Sequence, residues 1–159
     1  MRNNTVEQGL GADLADRVGD ELICSDWLTI TQEMVNAFAD TTRDHQWIHV
    51  DVERARRESP FGGPIAHGFL TLSLLPAFLD GAFTGLPIRQ IINYGCERVR
   101  FPAPVPVGSR LRGRAHLKAV EEGPMGSFKC IIAAAIEIEG GDKPACVADQ
   151  VFLLFPAEE

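Results

Sequence analysis

The stretch Asp44-His45-Gln46-Trp47-Ile48-His49 carries a carboxylate, two imidazoles and an amide, and further on His67-Gly68 opens an apolar run to Leu79. A carboxylate and an imidazole that grip one water can take a proton from it and deliver a proton to a neighbouring carbon. A glycine at a helix start lets a ligand come close to main-chain N–H groups, which hold developing negative charge without rearranging. Together these residues suggest a reactive site beside an anion-accepting helix end. Taken singly, an Asp or His on a loop is more often a cap or a solvated group. His45 and His49, with Asp44 and Asp51 nearby, would make a metal site only if the piece were helical, and the ligand set is incomplete; no metal is expected.

The elements that must position these groups follow from periodicity. Leu10, Leu14 and Val18 recur at helical spacing before Gly19. Glu21 to Ile30 reads as one strand. Thr31 is a good N-cap, with Glu33 in the first turn and Met34, Val35 and Phe38 on one face of a helix to about Thr41. A reactive loop follows, then a small helix near Val52 to Arg57. Pro60 to Pro64 is irregular. From Gly68 the chain is apolar around nearly all faces, which marks a buried helix, and Pro76 should kink it or mark a shift near its end.

The rest reads as strands: Ile91–Phe101, Leu111–Glu121, Phe128–Glu139 and Ala145–Phe155. Leu111–Glu121 alternates cleanly, with Arg112, Arg114, His116 and Lys118 on its polar face. A wholly apolar helix followed by successive antiparallel strands has a simple solution: an α+β fold whose curved sheet wraps the helix.

At 159 residues the chain fits one domain, 1–159, with residues 1–8 expected to fray. A net charge of −7 argues against nucleic acid as a partner. The longest apolar stretch is too short to span a bilayer, and no signal peptide is visible. Cys24, Cys96, Cys130 and Cys146 are dispersed and read as buried thiols, so the expected location is the cytoplasm. Trp47 and Phe61 read as core or tunnel wall. Most strand arginines read as a solvated face, and a few could meet the phosphates of a nucleotide.

The ordered set Asp44, Ile48, His49, His67, Gly68 resembles the signature of the MaoC-like (R)-specific enoyl-CoA hydratases, which have the hot dog fold. Gln46-Trp47 stands where the family pattern has Asn-Pro, a variant that points to a branch including dehydratases and a nodulation protein. The resemblance implies a single hot dog domain that adds water reversibly and syn across a trans-2-enoyl thioester. It implies that Asp44 and His49 hold the water and that the Gly68 N–H takes the thioester oxygen. Gln46 and His67 would border the substrate, with His67 packing or bonding near the helix start. The implied substrate is an acyl-CoA or acyl carrier protein thioester, with no cofactor, in a homodimer. A hot dog thioesterase and a non-catalytic thioester-binding protein are the alternatives. Arg43 replaces the glycine before the acid. If that position has a positive φ, the arginine costs about 1–2 kcal/mol and strains the loop toward a displaced position; if its backbone is ordinary, the change is harmless.

Overall fold

The computed structural model describes residues 9–158, and the fraying expected for residues 1–8 lies outside them. The elements are α1 (Leu10–Asp16), β1 (Glu21–Cys24), β2 (Leu28–Thr29), α2 (Gln32–Thr42), α3 (Trp47–Val50), α4 (Val52–Glu58), α5 (Gly68–Ser73), α6 (Leu75–Phe78), β3 (Ile88–Arg100), β4 (Arg110–Glu122), β5 (Phe128–Ile138) and β6 (Cys146–Pro156). The strands form one curved antiparallel sheet in the order β1-β4-β5-β6-β3, with β2 also on β4. This is the expected α+β arrangement.

The alternation in β4 sets which way the sheet faces. Leu111, Ala115 and Leu117 are fully buried, and they register with Ile138, Ala134 and Ile132 of β5. On the opposite face the cations pair across strands: Arg110 with Glu139, Arg112 with Glu137, Arg114 with Glu21 and Glu137, and Lys118 with Asp149. Such partly exposed pairs are each worth about 0–1 kcal/mol, so packing on the inner face dominates. Gly113 has a steric role there. A Cβ on it would fall inside the van der Waals envelope of Phe78 Cβ, so the bare glycine lets α6 lie against β4.

Several sequence expectations change. The strand expected over Glu21–Ile30 is two pieces. At Ser25 only half of the main-chain exchange survives: its N–H donates to Gly113 O (2.9 Å), but the Gly113 N–H goes to Ser25 Oγ (2.9 Å), and pairing resumes at Leu28. The central helix is broken at Leu74, two residues before Pro76. The Leu74 N–H bonds Thr71 O three residues back, which tightens the turn. Helix then restarts so that Pro76 falls in the first turn of α6, where its missing N–H costs nothing.

Nor is that helix buried all round. Phe69, Ser73, Pro76, Ala77 and Asp80 form an exposed stripe, Phe69 at 69%. The sheet covers one side only, and β3 leaves the other open. Two of the cysteines, Cys24 and Cys96, are exposed, because both lie on edge strands. No helix among the described residues is long and apolar enough to cross a membrane.

Candidate active site

Thr31 begins the construction. Its Oγ accepts from the Met34 N–H (3.2 Å), capping α2 as the sequence suggested. The helix buries Val35 and Ala39 and ends at Arg43, which has φ 63° and ψ 20°. The arginine therefore does occupy a left-handed position, and the conformation turns the chain sharply so that Asp44 leaves the end of α2. Asp44 Oδ1 caps the loop locally, accepting from the Gln46 N–H (3.4 Å), and one turn of helix, α3, then places His49. His49 is thus on a short helix rather than on a loop.

His49 is 8% exposed and His67 is 3% exposed. Their rings stack at 3.8 Å between centroids with planes 27° apart, and the Phe38 ring lies tilted against His67 at 5.0 Å. Each imidazole is anchored to main chain. His49 Nδ1–H donates to Ile65 O (2.7 Å), and His67 Nε2–H donates to Asp44 O (3.0 Å). Because a carbonyl only accepts, these bonds fix the neutral tautomers. His49 is left with a bare Nε2, and His67 with a bare Nδ1 that is buried without a partner. Burial is the main cause that pushes the His49 pKa below its ordinary 6.5, with the His67 neighbour acting in the same direction; the Ile65 bond and the Asp44 charge oppose it. His49 is therefore neutral at pH 7, the state that accepts a proton.

Asp44, His49 and His67 also offer ligand atoms within 4.8 Å of one another. Two imidazoles and one carboxylate this close can also grip a water by hydrogen bonds. The metal site considered around His45 does not form: His45 turns away to Asp40 (2.8 Å).

His49 and Gly68 line one cavity of about 340 Å³, together with Phe61, Thr71, Phe101 and Ala145. Gly68 is the first residue of α5, so its N–H has no partner within the helix. A Cβ on Gly68 would sit 3.1 Å from the Phe101 ring, so the glycine keeps this wall open. Of the residues singled out in the sequence, Asp44, His49, His67 and Gly68 come together. Gln46 caps α3 and is exposed; its side chain makes no hydrogen bond among the described residues. Trp47 is not a tunnel wall but lies under the Arg54 guanidinium (4.3 Å). Phe69 is on the surface, and Phe83 lines a separate cavity with Asn93 and Phe152. Sequence reasoning missed Phe101, which looked like a strand end, and gave Thr71 no role, although its spacing of three from Gly68 puts both on one helix face.

The MaoC like domain family matches residues 13–134. The 3-hydroxyacyl-thioester dehydratase Z of Mycobacterium tuberculosis is 53% identical over 140 residues, 88% of this chain and 92% of that protein. Nodulation protein N of Rhizobium leguminosarum bv. viciae is 46% identical over 147 residues, 90% of this chain and 89% of that protein. Among solved structures, the (R)-hydratase from A. caviae superposes with a TM-score of 0.69 at 26% identity, covering 85% of this chain and 94% of that one. The chain has the hot dog fold and belongs to the MaoC-like dehydratase family of hydro-lyases.

Proposed function

We propose that the chain, acting as one hot dog domain, is an (R)-specific enoyl-thioester hydratase, or in reverse a 3-hydroxyacyl dehydratase. Its substrate is an acyl-CoA or acyl carrier protein thioester. The observation that carries this is the neutral, backbone-tethered His49, which has a ring nitrogen within 4.8 Å of an Asp44 carboxylate oxygen and shares a cavity with Gly68, the first residue of α5. A water between Asp44 and His49 gives up a proton as its oxygen bonds Cβ, and a proton returns to Cα from the same face, so hydration is syn. The Gly68 N–H takes the charge that develops on the thioester oxygen. Water is the only co-reactant, and no cofactor is needed. The names of dehydratase Z and of the A. caviae (R)-hydratase support the thioester substrate and the stereochemistry.

The outer edge of β3 supports a homodimer. Among the described residues it ends the sheet unpaired, and it exposes Ile91, Ile92 and Tyr94, with Phe69 and Phe101 beyond. A second copy related by a two-fold axis would pair β3 with its own twin. The free cysteines fit the cytoplasmic setting expected from the sequence.

The test is loss of the conjugated absorbance of crotonyl-CoA on adding protein, with a parallel thiol-release assay. Absorbance loss without thiol release, extending to longer enoyl chains, is the expected result. Thiol release would replace hydration with thioester cleavage. Binding without turnover would make the protein a thioester carrier.

A further inference from the structure

Three other hydroxyls on helices bond the carbonyl four residues back: Thr41 to Ala37, Thr42 to Phe38 and Ser73 to Phe69. Thr71 does not. It is 1% exposed and stands in an apolar helix, yet its hydroxyl has no hydrogen-bond partner among the described residues. It lines the cavity that holds His49 and Gly68, and apart from His49 it brings the one polar side chain to that cavity's wall. The hydroxyl is not among the side-chain polar atoms sealed away without a partner, and from the cavity wall it is free to bond a group that enters. In a helix the side chain leans toward the N-terminus and covers the preceding turn. Thr71 therefore leans back over Gly68, three residues earlier, toward the helix start whose N–H has no partner within the helix.

We propose that Thr71 is a substrate-binding residue whose hydroxyl donates to the thioester carbonyl oxygen beside the Gly68 N–H. The inference rests on the hydratase reading and adds a second donor to it. Two donors on one helix face fix the direction of the carbonyl, and with it the face of the double bond that meets the water at His49. A hydroxyl keeps its donor when a carbonyl becomes an oxyanion, so the bond strengthens as the reaction proceeds.

Thr71→Val keeps the shape and removes the donor; Thr71→Ser keeps the donor. Turnover of crotonyl-CoA should fall about 100-fold in kcat/KM for the valine variant and stay within severalfold of wild type for serine. The second readout is the infrared carbonyl stretch of crotonyl-CoA bound to Asp44→Asn, which turns over too slowly to consume it. The stretch should rise toward its solution frequency when Thr71→Val is added. Should the valine variant not fold, Thr71→Ala serves in both assays.

Unchanged kcat/KM in the valine variant would overturn the proposal. So would a fall in turnover with no change in the carbonyl frequency, which would mean a packing role. A wild-type protein inert toward enoyl thioesters would remove the hydratase reading and this one with it, whereas an active wild type and an equally active valine variant would remove only this one.

Discussion

Two regions of the molecule are finished to different degrees. Around His67 the chain closes on itself: both imidazoles end on main-chain carbonyls, Phe38 lies against His67, and α5 begins at the cavity wall. Along β3 the opposite holds. Thirteen residues of strand stand with apolar side chains in solvent and one edge unpaired among the described residues. The first region is preorganised by short-range bonds that one chain supplies. The second waits for something outside the chain. Chemistry can therefore be tested by single substitutions at the first, and association at the second, with little crossover.

The largest expected effect is at the first region. Asp44→Asn or His49→Ala should lower kcat by about 10²–10⁴ while far-UV circular dichroism is unchanged; near-normal turnover in either would dissolve the proposed acid–base centre. At the second region, Ile92→Lys with Tyr94→Lys should weaken self-association about 100-fold, since two-fold pairing would bring like charges together. Sedimentation equilibrium measures this, and a dimer of undiminished strength would move the interface elsewhere.

Gly68→Ala should cost roughly tenfold in kcat/KM, because its methyl meets Phe101 at 3.1 Å and crowds the helix start. An unaffected variant would separate the glycine from the cavity's function.

The pH dependence follows from His49. Only the neutral imidazole accepts a proton, and its pKa lies below 6.5, so the acid limb of kcat/KM should fall below pH 6.5. The Asp44 charge raises that pKa, so Asp44→Asn should move the His49 midpoint lower still, as read by NMR titration of the ring. A midpoint that rises instead would contradict the buried, tethered geometry.

Smallest is Arg43→Gly. The left-handed backbone costs an arginine about 1–2 kcal/mol, and a glycine returns part of that as unfolded-chain entropy. A net gain of about 1 kcal/mol should raise Tm by roughly 2–4 °C. A lower Tm would mean that the arginine side chain contributes something its exposure does not suggest.

Much of this was legible before the structure. The alternation from Leu111 placed β4 and its buried face. The Thr31 cap marked the start of α2, and the order Asp44…His49…His67-Gly68 picked out residues that the fold brings together. What failed depends on distance in space rather than along the chain. The apolar run after Gly68 looks symmetrical in sequence, yet one stripe of it is exposed because the sheet ends at β3. Cys24 and Cys96 look like core thiols until the strand order puts them at edges. The partners of Arg112, Arg114 and Lys118 lie on β1, β5 and β6, so only strand register identifies them. Arg43 could be read only as a conditional, since a residue name does not carry a dihedral angle.

The contact of Gly113 with Phe78 reaches beyond this one chain. The distance between the helix and the sheet is set where a strand residue without a side chain receives the Cβ of Phe78. Adding a methyl at 113 overfills that space at a cost of about 1–3 kcal/mol, and trimming the ring at 78 gives no relief, because any side chain there keeps the Cβ that collides. Across the lineage, then, position 113 should stay glycine wherever the helix lies this close, whatever side chain is inherited at 78.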